Sequence, residues 1–143
     1  MTVDQDMELS SGISAFEAKH FANAANLLAP LADGGNAEAQ YRMAIMCQNG
    51  LGRAQNDTDA LKWMRLAADQ AHAYAQHGLG FMFMQGECVD KDEVEAVKWM
   101  TLAANQGLPG SAMTLGLMYE QGQGVEKNEV EAKRWYKRAE ENE

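Results

Sequence analysis

Apolar and small side chains recur along this chain at helical spacing, and the pattern itself repeats. Gln40, Met43, Ala44 and Cys47 stand at i, i+3, i+4 and i+7, places that share one face of a helix. A step of 36 residues brings Gln76, Leu79, Gly80 and Phe83 to the same places, and a second step brings Ala112, Leu115, Gly116 and Tyr119. A second stripe, Ala60, Trp63, Met64 and Ala67, is repeated in the same way, so that Trp63, Trp99 and Trp135 are spaced by 36 and 36. Short glycine-bearing segments separate the stripes: Gly50-Leu51-Gly52, Gly86-Glu87-Cys88 and Gly122-Gln123-Gly124. Each period therefore predicts two helices joined by a loop.

The similarity goes beyond hydrophobic pattern. Residues 37–72 and 73–108 share thirteen identities over 36 positions, among them Gln40, Gly50, Lys62, Trp63 and Gln70. A fixed period of this length marks a repeat architecture, in which a unit covers its apolar faces only by stacking on its neighbours. The expected organisation is one continuous domain: a degenerate helix pair at 1–36, then repeats at 37–72, 73–108 and 109–143. Asn56, Asp92 and Asn128 are placed to cap the second helices, each followed three residues later by an acid (Asp59, Glu95, Glu131), much like a capping box. Ala44, Gly80 and Gly116 fall where a bulky side chain would hold paired helices apart, with the tryptophans expected to fill the gap beside them. Gly34-Gly35 and Gly107 suit a left-handed helix end, whereas Ala71 in the first full unit allows a different turn.

Shifted by one period, Ala24, Leu27, Leu28 and Leu31-Ala32 fall under Ala60, Trp63, Met64 and Ala67-Ala68. Residues 21–34 thus read as a second helix without its tryptophan. A first helix is expected over Leu9–Lys19, carrying Ile13, Phe16 and Ala18, with a tight turn near His20-Phe21. Pro30 should kink that second helix or end a segment there. At the other end, Lys133, Arg134, Lys137 and Arg138 with Glu140-Glu141-Asn142-Glu143 give the last helix a charged exterior, which a terminal repeat needs for solubility.

Composition agrees with an all-α protein: 23 alanines stand against only 12 valine, isoleucine and threonine residues together. The net charge of −9 weighs against nucleic acid and anionic membranes as partners. Two cysteines cannot build a disulfide framework. No apolar run approaches the roughly 18–20 residues that span a bilayer. The opening Met1-Thr2-Val3-Asp4-Gln5-Asp6 lacks the features of a signal peptide. The expectation is a cytoplasmic protein, periplasmic only if the chain is a processed form.

Candidate chemistry is sparse. Cys47 replaces Phe83 and Tyr119 and reads as a buried structural thiol, while Cys88 sits at a loop glycine position. His20, His72 and His77 lack metal-ligand spacing, since His72 and His77 diverge around a helix. Asp90, Asp92, Glu93 and Glu95 resemble a calcium loop only in charge, and capping accounts for Asp92 and Glu95. Ser10, Ser11, Ser14 and Ser111 follow no strand, so none forms a nucleophile elbow. The glycine-rich pieces follow helices rather than strands, which argues against phosphate cradling. No catalytic residue, metal or cofactor is expected.

Three strings carry a family likeness: Leu115-Gly116-Leu117-Met118-Tyr119, Gly122-Gln123-Gly124-Val125, and Glu131-Ala132-Lys133-Arg134-Trp135-Tyr136-Lys137-Arg138-Ala139. They resemble the Sel-one-like repeat (SLR), a relative of the tetratricopeptide repeat, over residues 37–143 and, in degenerate form, before them. The first unit departs, with Met43-Ala44 for Leu-Gly, Cys47 for tyrosine and Arg53 for valine, changes that bear on its loop more than on its helix pairing. The resemblance implies a right-handed α/α solenoid acting as an adaptor or scaffold for other proteins. In tetratricopeptide-like pairs the first helix lines the concave face. That implies a groove formed by Tyr41, Ile45, Gln48 and Asn49, then His77, Phe81, Met84 and Gln85, then Met113, Leu117, Glu120 and Gln121. A solvated helix face is normally charged, and this one carries only Glu120. The groove reading makes the partner a peptide or helix of another protein, with the chain a monomer or weak homo-oligomer. Packing of these side chains against neighbouring first helices is the other reading of the same row. A self-associating structural protein and a small hydrolase or ligand-binding enzyme are the alternative functions.

Overall fold

A computed structural model describes residues 1–142, and Glu143 of the charged C-terminal run lies outside them. Among the described residues there are eight α-helices and no strand: α1 (Val3–Glu17), α2 (Phe21–Asp33), α3 (Ala37–Asn49), α4 (Asp57–Asp69), α5 (Ala73–Gln85), α6 (Glu93–Asn105), α7 (Pro109–Gln121) and α8 (Glu129–Glu141). The chain is therefore an all-α repeat of helix pairs. It divides into two compact units, Met1–His72 and Ala73–Glu143, each holding two pairs. Within each unit the two helices of a pair pack on one another, and the second helix of the first pair packs on the next first helix (α2 on α3, α6 on α7).

The caps form as their residue types require, with one difference. The side chains of Asn56, Asp92 and Asn128 accept the amides of Asp59, Glu95 and Glu131. The acids three residues on turn to basic side chains instead of completing a box: Asp59 to Arg53 at 3.3 Å, Glu95 to Lys98 at 3.9 Å and Glu131 to Arg134 at 3.5 Å. A complete capping box closes α1, where Thr2 and Gln5 exchange hydrogen bonds of 2.9 and 3.1 Å.

Ala71 does not alter its turn. It takes φ +65, in line with Gly35 at +99 and Gly107 at +94. The same bonding pattern follows, His72 N–H donating to Ala67 O as Asn36 does to Leu31 O and Leu108 to Ala103 O. Neighbouring packing imposes the turn, and alanine bears the left-handed strain. Ala71→Gly should raise stability by about 0.5–1 kcal/mol, strain relief outweighing the lost chain stiffness. Urea unfolding would check it, and an unchanged or lower midpoint would refute the strain. The substituted loop of the first full unit likewise keeps the common form. Asn56 N–H donates to Cys47 O at 2.9 Å, as Asp92 does to Phe83 O and Asn128 to Tyr119 O.

The N-terminal pair is longer and more complete than its sequence suggests. The first helix runs from Val3, and α2 passes through Pro30 to Asp33. Pro30 has no N–H for the Asn26 carbonyl, so the helix runs on to Asp33 without that i→i−4 bond and neither ends nor breaks at the proline. Only residues 18–20 separate α1 from α2, whereas residues 50–56 separate α3 from α4. Gly12 is consequently the counterpart of Ala44, Gly80 and Gly116, and a Cβ on it would meet Leu28 Cγ at 2.7 Å. The small residues face the side chain after the tryptophan position, not the tryptophan: Gly80 faces Met100 and Gly116 faces the ring of Tyr136. The tryptophans are nonetheless core. Trp135 joins Met100, Ala104, Ala112, Leu115 and Ala139 in one buried cluster spanning α6, α7 and α8.

Buried polar groups are few and placed at joints. Gln40 Nε2 donates to Ala32 O at 3.1 Å, and Gln70 Nε2 donates to Gln40 Oε1 at 2.8 Å, tying α2, α3 and α4 together. Gln106 repeats the second bond to Gln76 at 2.8 Å. On α8, Lys133, Lys137 and Glu140 occupy the places of Val97, Thr101 and Ala104 on α6, which gives its outer side the expected charge. No helix among the described residues is long and apolar enough to cross a membrane.

Candidate functional site

The first helix of each pair presents a stripe left uncovered by its own pair, and the two units treat it differently. In the first unit, Tyr41, Ile45 and Gln48 are half-buried and Asn49 is exposed. Tyr41 stacks on His72, with centroids 4.8 Å apart. His72 Nε2 in turn donates to Glu38 Oε2 at 2.6 Å, and Arg42 Nε donates to Glu38 Oε1 at 2.9 Å. Burial alone would raise the Glu38 pKa, but these two hydrogen-bonded partners and their charges outweigh it and hold it below the ordinary value. The Arg42 guanidinium also lies 4.8 Å over the Phe16 ring. With the short α1–α2 turn taken into account, Leu9, Ile13 and Phe16 on α1 correspond to Tyr41, Ile45 and Gln48. They are half-buried too, and the 36-residue step missed them. The stripe of this unit is thus engaged by its own aromatic and ionic contacts.

In the second unit the stripe is open. Phe81 on α5 is 40% exposed, and Met113 and Leu117 on α7 are 42% and 44% exposed. Met84 is half-buried, and Gln85, Glu120 and Gln121 are exposed. Gly78 and Thr114, equivalent positions that the sequence reading passed over, are half-buried beside the same stripe. A recess of about 280 Å³ lies between the ends of α5 and α7, and four of the expected groove residues line it: Met84, Gln85, Leu117 and Gln121. At the other end of the stripe His77 Nδ1 is hydrogen-bonded to the fully buried Ser111 Oγ at 2.7 Å.

Burial lowers the pKa of His77 beneath the ordinary imidazole value. As pH falls through about 6.5 the unfolded chain takes up that proton before the folded one does, so His77 removes stability below this pH. His77→Gln keeps a partner for Ser111 and should lessen the fall in thermal midpoint between pH 7 and pH 5. An equal fall in both proteins would show that another group is responsible.

The remaining candidates are structural in their surroundings. Cys47 is buried, and burial pushes its thiol up; Cys88 is half-buried on left-handed backbone, and neither is in a disulfide. No group of three or more His, Cys, Asp or Glu side chains among the described residues is gathered to hold a metal ion. Glu120 accepts a hydrogen bond from the Tyr136 hydroxyl at 2.5 Å, which with burial raises the phenol to about 12.

The Sel1 repeat model matches residues 37–72, 73–108 and 111–143. The chain belongs to the Sel1 repeat family. Among solved structures it is similar to a Sel1 repeat protein from Oxalobacter formigenes, with 35% identity and a TM-score of 0.89 over 94% of this chain and 56% of that one. It is also similar to c5321, a protective antigen of uropathogenic Escherichia coli strains displaying an SLR fold, with 32% identity and a TM-score of 0.90 over 96% of this chain and 30% of that one. Cysteine rich protein B of Helicobacter pylori, at 18% identity and a TM-score of 0.63 over 99% of this chain and 91% of that one, shares the fold. The chain thus spans 56% and 30% of the length of the first two Sel1 relatives. No curated protein matches it. Sel1 repeat proteins are generally protein-interaction scaffolds, typically without catalysis.

Proposed function

We propose that this Sel1 repeat chain is a non-catalytic interaction module whose α5–α7 face receives an apolar peptide or helix from a partner protein. The observation that carries this reading is the exposure of Phe81, Met113 and Leu117 on one stripe of the second unit. Large apolar side chains grouped on a surface mark binding sites more often than solvated faces do. The amides of Gln85 and Gln121 beside the recess suit the backbone of a bound segment.

Phe81 holds the most ring area on this face, so its removal is the direct test. Central aromatics that lose all water on binding cost about 2 kcal/mol or more when truncated. Phe81→Glu should abolish capture of partners from native lysate at unchanged helicity and melting midpoint. Lys98→Ala, on the second helix of the same pair, should leave capture unaffected. Binding should also survive moderate salt, since apolar contact dominates. Equal capture by Phe81→Glu and the parent would make the groove reading wrong, and would turn attention to the loops at 50–55 and their equivalents.

A further inference from the structure

We infer that the α5–α7 face selects segments in which an apolar stretch is flanked by a lysine or arginine, the cation seating in a pocket beside the C-terminal end of α7. This rests on the interaction reading above and names the chemistry of the partner. Helix α5 has no charged residue and α7 has one, Glu120. Glu120 stands seven residues after Met113 and three after Leu117, about 10 Å and 5 Å farther along the helix axis, on the same stripe as these apolar side chains.

Beside Glu120 opens a pocket of about 260 Å³, lined also by Glu129, Ala132, Lys133 and Tyr136. Its parts match a cation with a long apolar stem. The Tyr136 hydroxyl bond engages one Glu120 oxygen and steadies the carboxylate, leaving the second oxygen for an incoming donor. The Tyr136 ring is pressed over Gly116, where even a Cβ would collide with it, so an aromatic wall stands next to the carboxylate. Glu129 has no hydrogen-bond or ion-pair partner among the described residues. Lys133 offsets one of the two carboxylates, and the pocket keeps a net negative charge. A carboxylate and an aromatic ring together bind ammonium and guanidinium groups, and the alkyl stem of either side chain can lie along Ala132 and the Tyr136 ring. An acidic segment would instead bring its charge against Glu120 and Glu129, with only Lys133 to answer it.

The test uses the full 143-residue chain and synthetic peptides. Each peptide carries an apolar triplet of Leu, Met or Phe with one variable residue at one end, made in both orders: arginine, lysine, citrulline as the neutral copy of arginine, or glutamate. Arginine and lysine peptides should bind about fivefold to tenfold more tightly than citrulline ones, and glutamate peptides more weakly still. In the double variant Glu120→Gln, Glu129→Gln the arginine-to-citrulline ratio should fall to about one. Glutamine at 120 still accepts the Tyr136 hydrogen bond, so the wall stays in place. Equal binding of arginine and citrulline by the parent overturns the cation pocket alone, provided Phe81→Glu still abolishes both. If Phe81→Glu leaves all binding intact, or if no apolar peptide binds, the underlying groove reading falls as well. A concentration-dependent dimer that disappears in Phe81→Glu would assign the face to a second copy of the chain and overturn the peptide proposal.

Discussion

Trp135→Ala should destabilise the folded chain by about 3–5 kcal/mol, the range for deleting a fully buried tryptophan from a core that cannot close behind it. Trp135 is 4% exposed and touches a cluster drawn from three helices, so the void would open among Met100, Ala104, Leu115 and Ala139 together. Arg134 and Arg138 lie over the ring at 5.4 and 4.6 Å and would lose their aromatic partner in the same step. Trp135→Phe supplies the control. The indole Nε1 is buried without a hydrogen-bond partner, so phenylalanine removes an unsatisfied donor while keeping most of the ring. Chemical denaturation of the three proteins should rank them parent, phenylalanine, alanine, with the last far below. An alanine variant within about 1 kcal/mol of the parent would show that the ring is not structural.

Gly52→Ala should cost about 2–5 kcal/mol, a large figure for one added methyl group. Two effects add. The backbone at Gly52 has φ +69, which costs an L-residue about 1–2 kcal/mol. A Cβ there would also come within 2.6 Å of the Phe21 carbonyl carbon and 2.7 Å of the Ala22 nitrogen, atoms of the first turn of α2 that no side-chain rotation can move aside. Overpacking of that kind adds about 1–3 kcal/mol. Gly107→Ala separates the effects, because φ is +94 but nothing lies within 4 Å of the added methyl. It should cost only the backbone share. Equal losses for the two variants would show that the contact with α2 contributes nothing.

The helix pairs were legible in the sequence because stacking forces the same buried positions to recur, so each unit confirms the next. Where one unit departs, the step of 36 misleads. It carries Ala44 onto Glu8, whereas the shorter first turn makes Gly12 the true counterpart and hides Leu9, Ile13 and Phe16 from the stripe. Ala71 illustrates a second limit. Side-chain identity forecasts an intrinsic preference, but the packed helices on either side decide the turn. The candidate site was legible as a row of positions, not as an open or closed surface. Tyr41 and Phe81 stand one helical turn apart in register, Tyr41 three before Ala44 and Phe81 one after Gly80, yet the first is stacked by His72 and the second faces solvent. Contacts such as Glu38 with His72 join residues 34 apart, and no periodicity announces them.

The buried amide of Gln40 has a consequence for how the helices of the first unit are registered. Alanines such as Ala24, Ala32, Ala39 and Ala44 make smooth walls, and smooth walls tolerate sliding. A hydrogen bond from Gln40 to the Ala32 carbonyl does not. Displacing α3 along α2 by a single residue would strand the Gln40 amide nitrogen away from water, at about 1–3 kcal/mol for an orphaned donor, while the Ala32 carbonyl keeps the Gly35 N–H. A few polar atoms thus act as an alignment pin. They add little to adhesion, but they set which of several nearly equal positions along the alanine track the chain adopts.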